Sequence, residues 1–188
     1  DIAVYQFEVT DENQEVTEIA ISVKGGKLVL LNKDREVIEE NLTREDANKI
    51  GKDYLASIDF PNMQESYFQT QENIITVNYV YKQGDILVYP DLIKVKIALD
   101  NGEILGVETN GYLNSHTERT DTVATITKEE AKATLNKNLD IQSESLVIIP
   151  TEWKTRYYAR SGESLIPLQQ YKIDIIRHQE RRDWSRQI

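Results

Sequence analysis

The sequence predicts an α+β fold on three observations. Long stretches alternate with period two, as where Tyr5, Phe7 and Val9 interleave with Val4, Gln6 and Glu8, the pattern of a half-buried strand. Two glycine turns, Gly25-Gly26 and Asp100-Asn101-Gly102, stand between such stretches and supply the positive φ that a tight hairpin needs. Two segments carry a helix start of the same design, Leu42-Thr43-Arg44-Glu45-Asp46-Ala47 and Ile126-Thr127-Lys128-Glu129-Glu130-Ala131.

Read in order, the chain opens on a strand near Val4, a polar turn over Thr10 to Glu15, and strands at Val16–Val23 and Lys27–Leu31. No helix precedes these strands, which is the expectation for a truncated chain. At the first helix start, Thr43 can cap free amides and Glu45 and Asp46 sit at the positive end of the macrodipole. Leu42 can staple onto Ala47, and Ala47, Ile50, Gly51, Tyr54 and Leu55 then share one helix face. Strands are expected at Ser66–Thr70, Ile74–Lys82, Leu92–Leu99 and Ile104–Leu113. The second start lies 84 residues after the first without a gap, carries a full capping box in Thr127 and Glu130, and places Leu139 opposite Leu55. This internal repeat divides the chain into residues 1–41 (strands only), 42–117 and 122–188.

Composition excludes several classes. The 188 residues hold 22 Lys and Arg against 32 Asp and Glu, a formal net charge of −10, which disfavours a nucleic-acid partner. There is no Cys, so no disulfide, thiol nucleophile or zinc–thiolate site, as suits an extracytoplasmic setting. No run approaches the roughly 20 apolar residues of a membrane helix, and Asp1-Ile2-Ala3-Val4-Tyr5 lacks the basic and apolar regions of a signal peptide.

A Thr-x-x-Glu/Asp-Ala start, a short helix, several strands and an Asp-Asn-Gly-Glu turn together resemble the PepSY module. The run Tyr89 to Gly106, with Asn110-Gly111-Tyr112-Leu113 and later Leu146 to Lys154, resembles the C-terminal region of the YpeB germination protein family, over about residues 1–154. The resemblance implies tandem PepSY modules, each an antiparallel sheet with one packed helix. It also implies a non-enzymatic spore germination factor that stabilises, localises or restrains the cortex-lytic enzyme SleB outside the forespore cytoplasm, at the inner spore membrane or cortex. Full-length members have an N-terminal membrane anchor and helical region, so this stretch is expected to be the soluble PepSY half. The alternatives are a peptidase-inhibitor-like PepSY module and a carboxylate-dependent peptidoglycan hydrolase.

The tail departs from that pattern. Residues 154–188 carry 8 basic and 4 acidic side chains in an otherwise acidic chain, the expectation for a shifted reading frame or a diverged end. Tyr171 to His178 still alternates and can close as a strand.

No catalytic, cofactor or metal site is expected. His116 and His178 are read as surface residues without an acid–base partner. A glycosidase needs two carboxylates at a set separation, and Glu45, Asp46, Asp100 and Glu103 fall in caps and turns. Glu8, Asp11, Glu12 and Glu15 read as a solvated acidic turn rather than a calcium loop. Gly25-Gly26 precedes a strand, so it is no phosphate loop, and Ser161-Gly162 lacks a nucleophile elbow. Tyr67, Phe68, Tyr79, Tyr81, Tyr89 and Tyr112 cluster in the middle unit. The face of Ile75, Val77, Tyr79 and Tyr81 is expected to pack the core, and any tyrosine left exposed on the sheet is the candidate partner surface.

Overall fold

The computed structural model describes residues 2–12, 14–120, 124, 126–136, 140–149 and 171–176, with 140–145 and 171–176 as backbone alone. The strands are β1 (Val4–Thr10), β2 (Val16–Ser22), β3 (Leu28–Lys33), β4 (Met63–Gln71), β5 (Ile74–Gln83), β6 (Ile86–Ala98), β7 (Ile104–Glu108), β8 (Asp140–Ile148) and β9 (Tyr171–Ile176). Helices α1 (Arg44–Ser57), α2 (Asn110–Ser115) and α3 (Lys128–Ala133) complete the α+β fold.

Strand order along the sheet is β1-β2-β3-β7-β6-β5-β4, all antiparallel; β8 pairs parallel with the start of β6, and β9 pairs with β8. The expected closing strand thus forms as β9. Phe68, Val77, Val95, Val107, Leu31, Ile19 and Phe7 pair in turn across seven strands. Directly opposed residues point to the same face, so this rung is one apolar line through the sheet.

Helix α1 covers the middle of that face. Ala47, Gly51 and Leu55 are buried, and Leu42, Ile50 and Tyr54 pack against the same core as Phe60, Ile75, Val77, Tyr79, Ile93, Val95 and Ile97. The expected helix face is therefore the observed one, and Tyr79 belongs to the core. Both helix starts are capping boxes. Thr43 accepts from Asp46 N at 3.2 Å and Asp46 accepts from Thr43 N at 3.1 Å. Thr127 and Glu130 repeat the exchange at 3.2 and 2.7 Å. An aspartate at the third helical position serves as a glutamate does, and its hydrogen bonds with Thr43 hold the Asp46 carboxyl below the usual range.

Val37, Ala98 and Leu105 form a small cluster against which Ile74 packs. The connection before α1 is tied down by Arg35, whose guanidinium grips Asp100 at 2.8 and 3.0 Å and reaches Glu103 at 2.9 Å. Asp100 and Glu103 are thus structural ion-pair partners within the turn expected of them.

Two expectations need correction. The strand expected over Ile104–Leu113 ends at Glu108 and gives way to α2. Thr109 is buried and donates to Leu28 O at 2.7 Å, while Gly111 lies so close to Leu92 that a side chain there would meet Leu92 O at 2.7 Å. A strand cannot continue through that contact. The strand expected to begin at Leu92 begins instead at Ile86 and runs through Pro90. Val80 pairs with Leu92 but Tyr81 pairs with Val88, so Tyr89, Pro90 and Asp91 bulge out of the ladder with β5. A bulge tolerates the missing proline N–H. Leu139, Ser161-Gly162 and His178 lie outside the described residues.

Gly51 gives a test of the helix–sheet contact. In an open helix Gly→Ala stabilises by about 1 kcal/mol. Here a methyl would run into the Tyr79 hydroxyl and lie 3.1 Å from Ile97 Cδ1. Gly51→Ala is expected to destabilise by about 1–3 kcal/mol through overpacking. Tyr79→Phe removes the hydroxyl and its bond to Asn48 O, so urea unfolding of the double variant should show the alanine costing less.

Candidate partner-binding surface and the Asp91 clasp

Burial separates the aromatic residues into two sets. Tyr79 is enclosed, whereas Tyr81 and Tyr112 are partly buried on the main core. Tyr67 is 61% exposed and Phe68 37% exposed, both on β4 at the end of the strand order. Phe68 carries Arg44 over its ring at 4.2 Å, and Arg44 in turn pairs with Glu65. From Ser66 to Gln71 the strand has no charge and no proline. Charges and prolines are the usual guards of an edge, so among the described residues the 66–71 stretch of β4 presents an unpaired outer edge beside an exposed tyrosine.

Tyr67 also heads a rung on the sheet face opposite the core: Tyr67, Asn78, Lys94 and Glu108 pair in turn, the last two bridged at 3.0 Å. The next rung carries Gln69, Thr76, Lys96 and Gly106. A Cβ at Gly106 would crowd Lys96 Cδ at 2.9 Å, so glycine makes room for the lysine stem. This polar face with two lysines stands out from the acidic chain.

The bulge of β6 builds a second feature. Asp91 is wholly buried and takes the Arg119 fork at 2.7 and 3.0 Å and His116 Nδ1 at 2.7 Å. Arg119 also donates to Ser115 O at 3.0 Å and Thr117 O at 2.8 Å. The Gln83 carboxamide pairs with both backbone groups of Arg119, at 2.8 and 3.2 Å. His116 stacks on Tyr112 with centroids 4.2 Å apart and meets Tyr81 edge-on at 4.6 Å; Phe60 meets Tyr112 edge-on at 5.1 Å. Burial pushes the Tyr112 hydroxyl up to about 12 and raises Tyr81 as well.

His116 is therefore not a free surface residue. It has a carboxylate partner, 25 residues back in the chain, which spacing alone does not reveal. Pro90 within a strand was the one local sign that the neighbouring side chain is re-aimed. The dyad is a clasp in its chemistry, since the Arg119 fork occupies both Asp91 oxygens and the imidazole is held between tyrosines. The acidic turn is likewise structural: Lys33 pairs with Glu15 at 2.8 Å and with Asp11 at 3.4 Å. Among the described residues no three His, Cys, Asp or Glu side chains gather to hold a metal, and no helix is long and apolar enough to cross a membrane.

An antiparallel sheet with α1 over one face and a clasped junction after α2 is the architecture of a PepSY-type sheet module. Residues 1–122 match the family model described as YpeB sporulation, PepSY1 and PepSY2 domains, and the chain belongs to that family. It is 34% identical over 141 residues to sporulation protein YpeB of Oceanobacillus iheyensis, covering 74% of this chain and 31% of that protein. To sporulation protein YpeB of Bacillus subtilis it is 30% identical over 152 residues, covering 79% of this chain and 34% of that one. The chain thus spans about a third of the length of these relatives. The solved Bacillus megaterium YpeB C-terminal domain superposes with a TM-score of 0.75 at 27% identity, covering 81% of this chain and 69% of that structure.

Breaking the clasp from the acid side leaves Arg119 largely buried without a counter-charge. Asp91→Asn is expected to destabilise by about 3 kcal/mol, at the low end for a buried pair because Arg119 keeps 16% exposure. Hydrogen exchange should quicken at residues 116–119. Arg119→Lys, which keeps the charge and loses the fork, should cost less.

Proposed function

We propose that this chain is a non-enzymatic binding region of a sporulation protein, and that it stabilises, localises or restrains a spore cortex-lytic enzyme, SleB, on the extracytoplasmic side of the spore's inner membrane. Membership of the YpeB family supports the sporulation role. The observation that carries the binding role is strand β4: no described strand pairs with its outer edge, its residues 66–71 are uncharged, and Tyr67 stands exposed upon it. An open edge supplies backbone hydrogen bonds to an added strand, and the side chains beside it supply selectivity. Exposed tyrosine contributes broad contact area at low entropic cost.

Mixing the purified chain with purified SleB, followed by pull-down and a cortex-digestion assay, tests the reading. Binding with slower digestion, or protection of SleB from proteolysis, is the expected result. Tyr67→Glu should weaken the complex about tenfold or more while leaving the unfolding midpoint within a few tenths of a kcal/mol, as befits an exposed side chain. Digestion of cortex by the chain alone would overturn the non-enzymatic reading. Inhibition of an unrelated peptidase, with no hold on SleB, would favour the peptidase-inhibitor reading, which uses the same open edge.

A further inference from the structure

A cleft of about 410 Å³ opens at the start of β4, lined by Asn62, Met63, Gln64, Tyr81, Lys82, Gln83 and Gly84. Its size falls within the range of ligand sites, and its walls set three carboxamides and one ammonium beside Met63 and the Tyr81 ring. Two of its lining residues, Gln83 and Tyr81, hold the strap of residues 116–119 and show how these walls work. The Gln83 carboxamide holds the N–H and the C=O of Arg119 together, as a neighbouring strand would. Next to it the Tyr81 hydroxyl, which Asn62 also hydrogen-bonds, faces Glu118 Oε1 at 3.4 Å. A glutamate-bearing stretch of backbone is thus already held here from within the chain.

Two further lining residues supply the same two chemistries. Gln64 lies on β4 opposite Val80, three residues before Tyr67, and supplies a carboxamide besides those of Asn62 and Gln83. Lys82 supplies the only charge among the seven lining residues and pairs loosely with the solvent-exposed Asp85, 3.8 Å away. A carboxamide donates and accepts at once, which suits a peptide backbone, and the ammonium suits a carboxylate.

We propose that the cleft receives an extended, acidic peptide segment of the partner, its backbone held by the Gln64 carboxamide and its carboxylate by Lys82, as it continues along the edge of β4. The inference rests on the reading of β4 as the partner edge and adds the class of segment that edge takes. Lys82 sets the sign of the segment's charge, and Gln64 sets its extended form. The aromatic cluster behind Tyr81 keeps the strap in place while the partner segment binds beside it.

The test is a titration of the ¹⁵N-labelled 188-residue chain with an acetylated, amidated Thr-Val-Thr-Val-Glu-Glu peptide, with Thr-Val-Thr-Val-Lys-Lys as control. Expected are shifts at Gln64, Lys82 and Gly84 with the acidic peptide, binding weakened about tenfold by Lys82→Glu, and recovery of affinity by that variant for the lysine peptide. Gln64→Ala should weaken both pairings. Equal shifts from both peptides, confined to residues 66–71, would overturn the acidic cleft while leaving β4 as an edge. No shift at the cleft beside an intact, Tyr67-dependent SleB complex would overturn this inference alone. Tighter binding of a polygalacturonate oligomer at Gln64 and Lys82 than of the acidic peptide would overturn it in favour of a glycan.

Discussion

Everything else in the molecule depends on a change of neighbours along β6. Its first residues, Ile86 to Val88, pair with β8, and its last, Lys94 to Ile97, pair with β7. Between them Tyr89, Pro90 and Asp91 pair with nothing on β5. The bulge falls where the partner on the far edge of β6 changes from β8 to β7, so the irregularity in the β5 ladder and the change of neighbour coincide. The bulge also turns Asp91 inward, where a carboxylate is tolerable only if paired and hydrogen-bonded. Arg119 and His116 meet that demand. One local irregularity thus sets the position of the strap.

The sequence was legible where structure is decided within a few residues. The two capping boxes are readable because Thr43 and Asp46, like Thr127 and Glu130, sit three positions apart and need nothing from the rest of the chain. The buried face of α1 is equally local, being a matter of helical period. The glycine turns at 25–26 and 102 adopt the positive φ that their composition announces. What was not legible is decided at a distance. Helix α2 exists because Gly111 lies against Leu92 and Thr109 against Leu28, contacts across 19 and 81 residues of chain. Alternation in Ile104–Leu113 reads as strand until that packing is known. The pairing of His116 with Asp91 was hidden for the same reason, since a histidine in a connecting segment carries no mark of its partner.

The candidate surface was half legible. That the middle unit is rich in tyrosine is plain from the sequence, but which tyrosine stays outside depends on strand order. Tyr67 lies on the last strand of the order, on the face away from the core, and Tyr79 lies beneath α1. Strand order and sheet face together separate the buried tyrosine from the exposed one. The same logic applies to Lys94 and Lys96, which spacing shows to share a face with each other but not with Tyr67.

The parallel pairing of β8 with β6 has a mechanical meaning. Their shared ladder is three residue pairs long, Ile86 to Val88 with Leu146 to Ile148. Tension drawn through the chain along these strands loads those rungs in shear, so they resist together and fail together. The antiparallel β8–β9 pair, by contrast, parts one rung at a time when its ends are pulled from one side. The Asp91 clasp lies between these two behaviours, on the strap leading from the main sheet to α3. A pull on the chain beyond β8 therefore meets the three rungs that tie β8 to β6 before it reaches the buried ion pair on the strap, so the short parallel ladder shields the clasp.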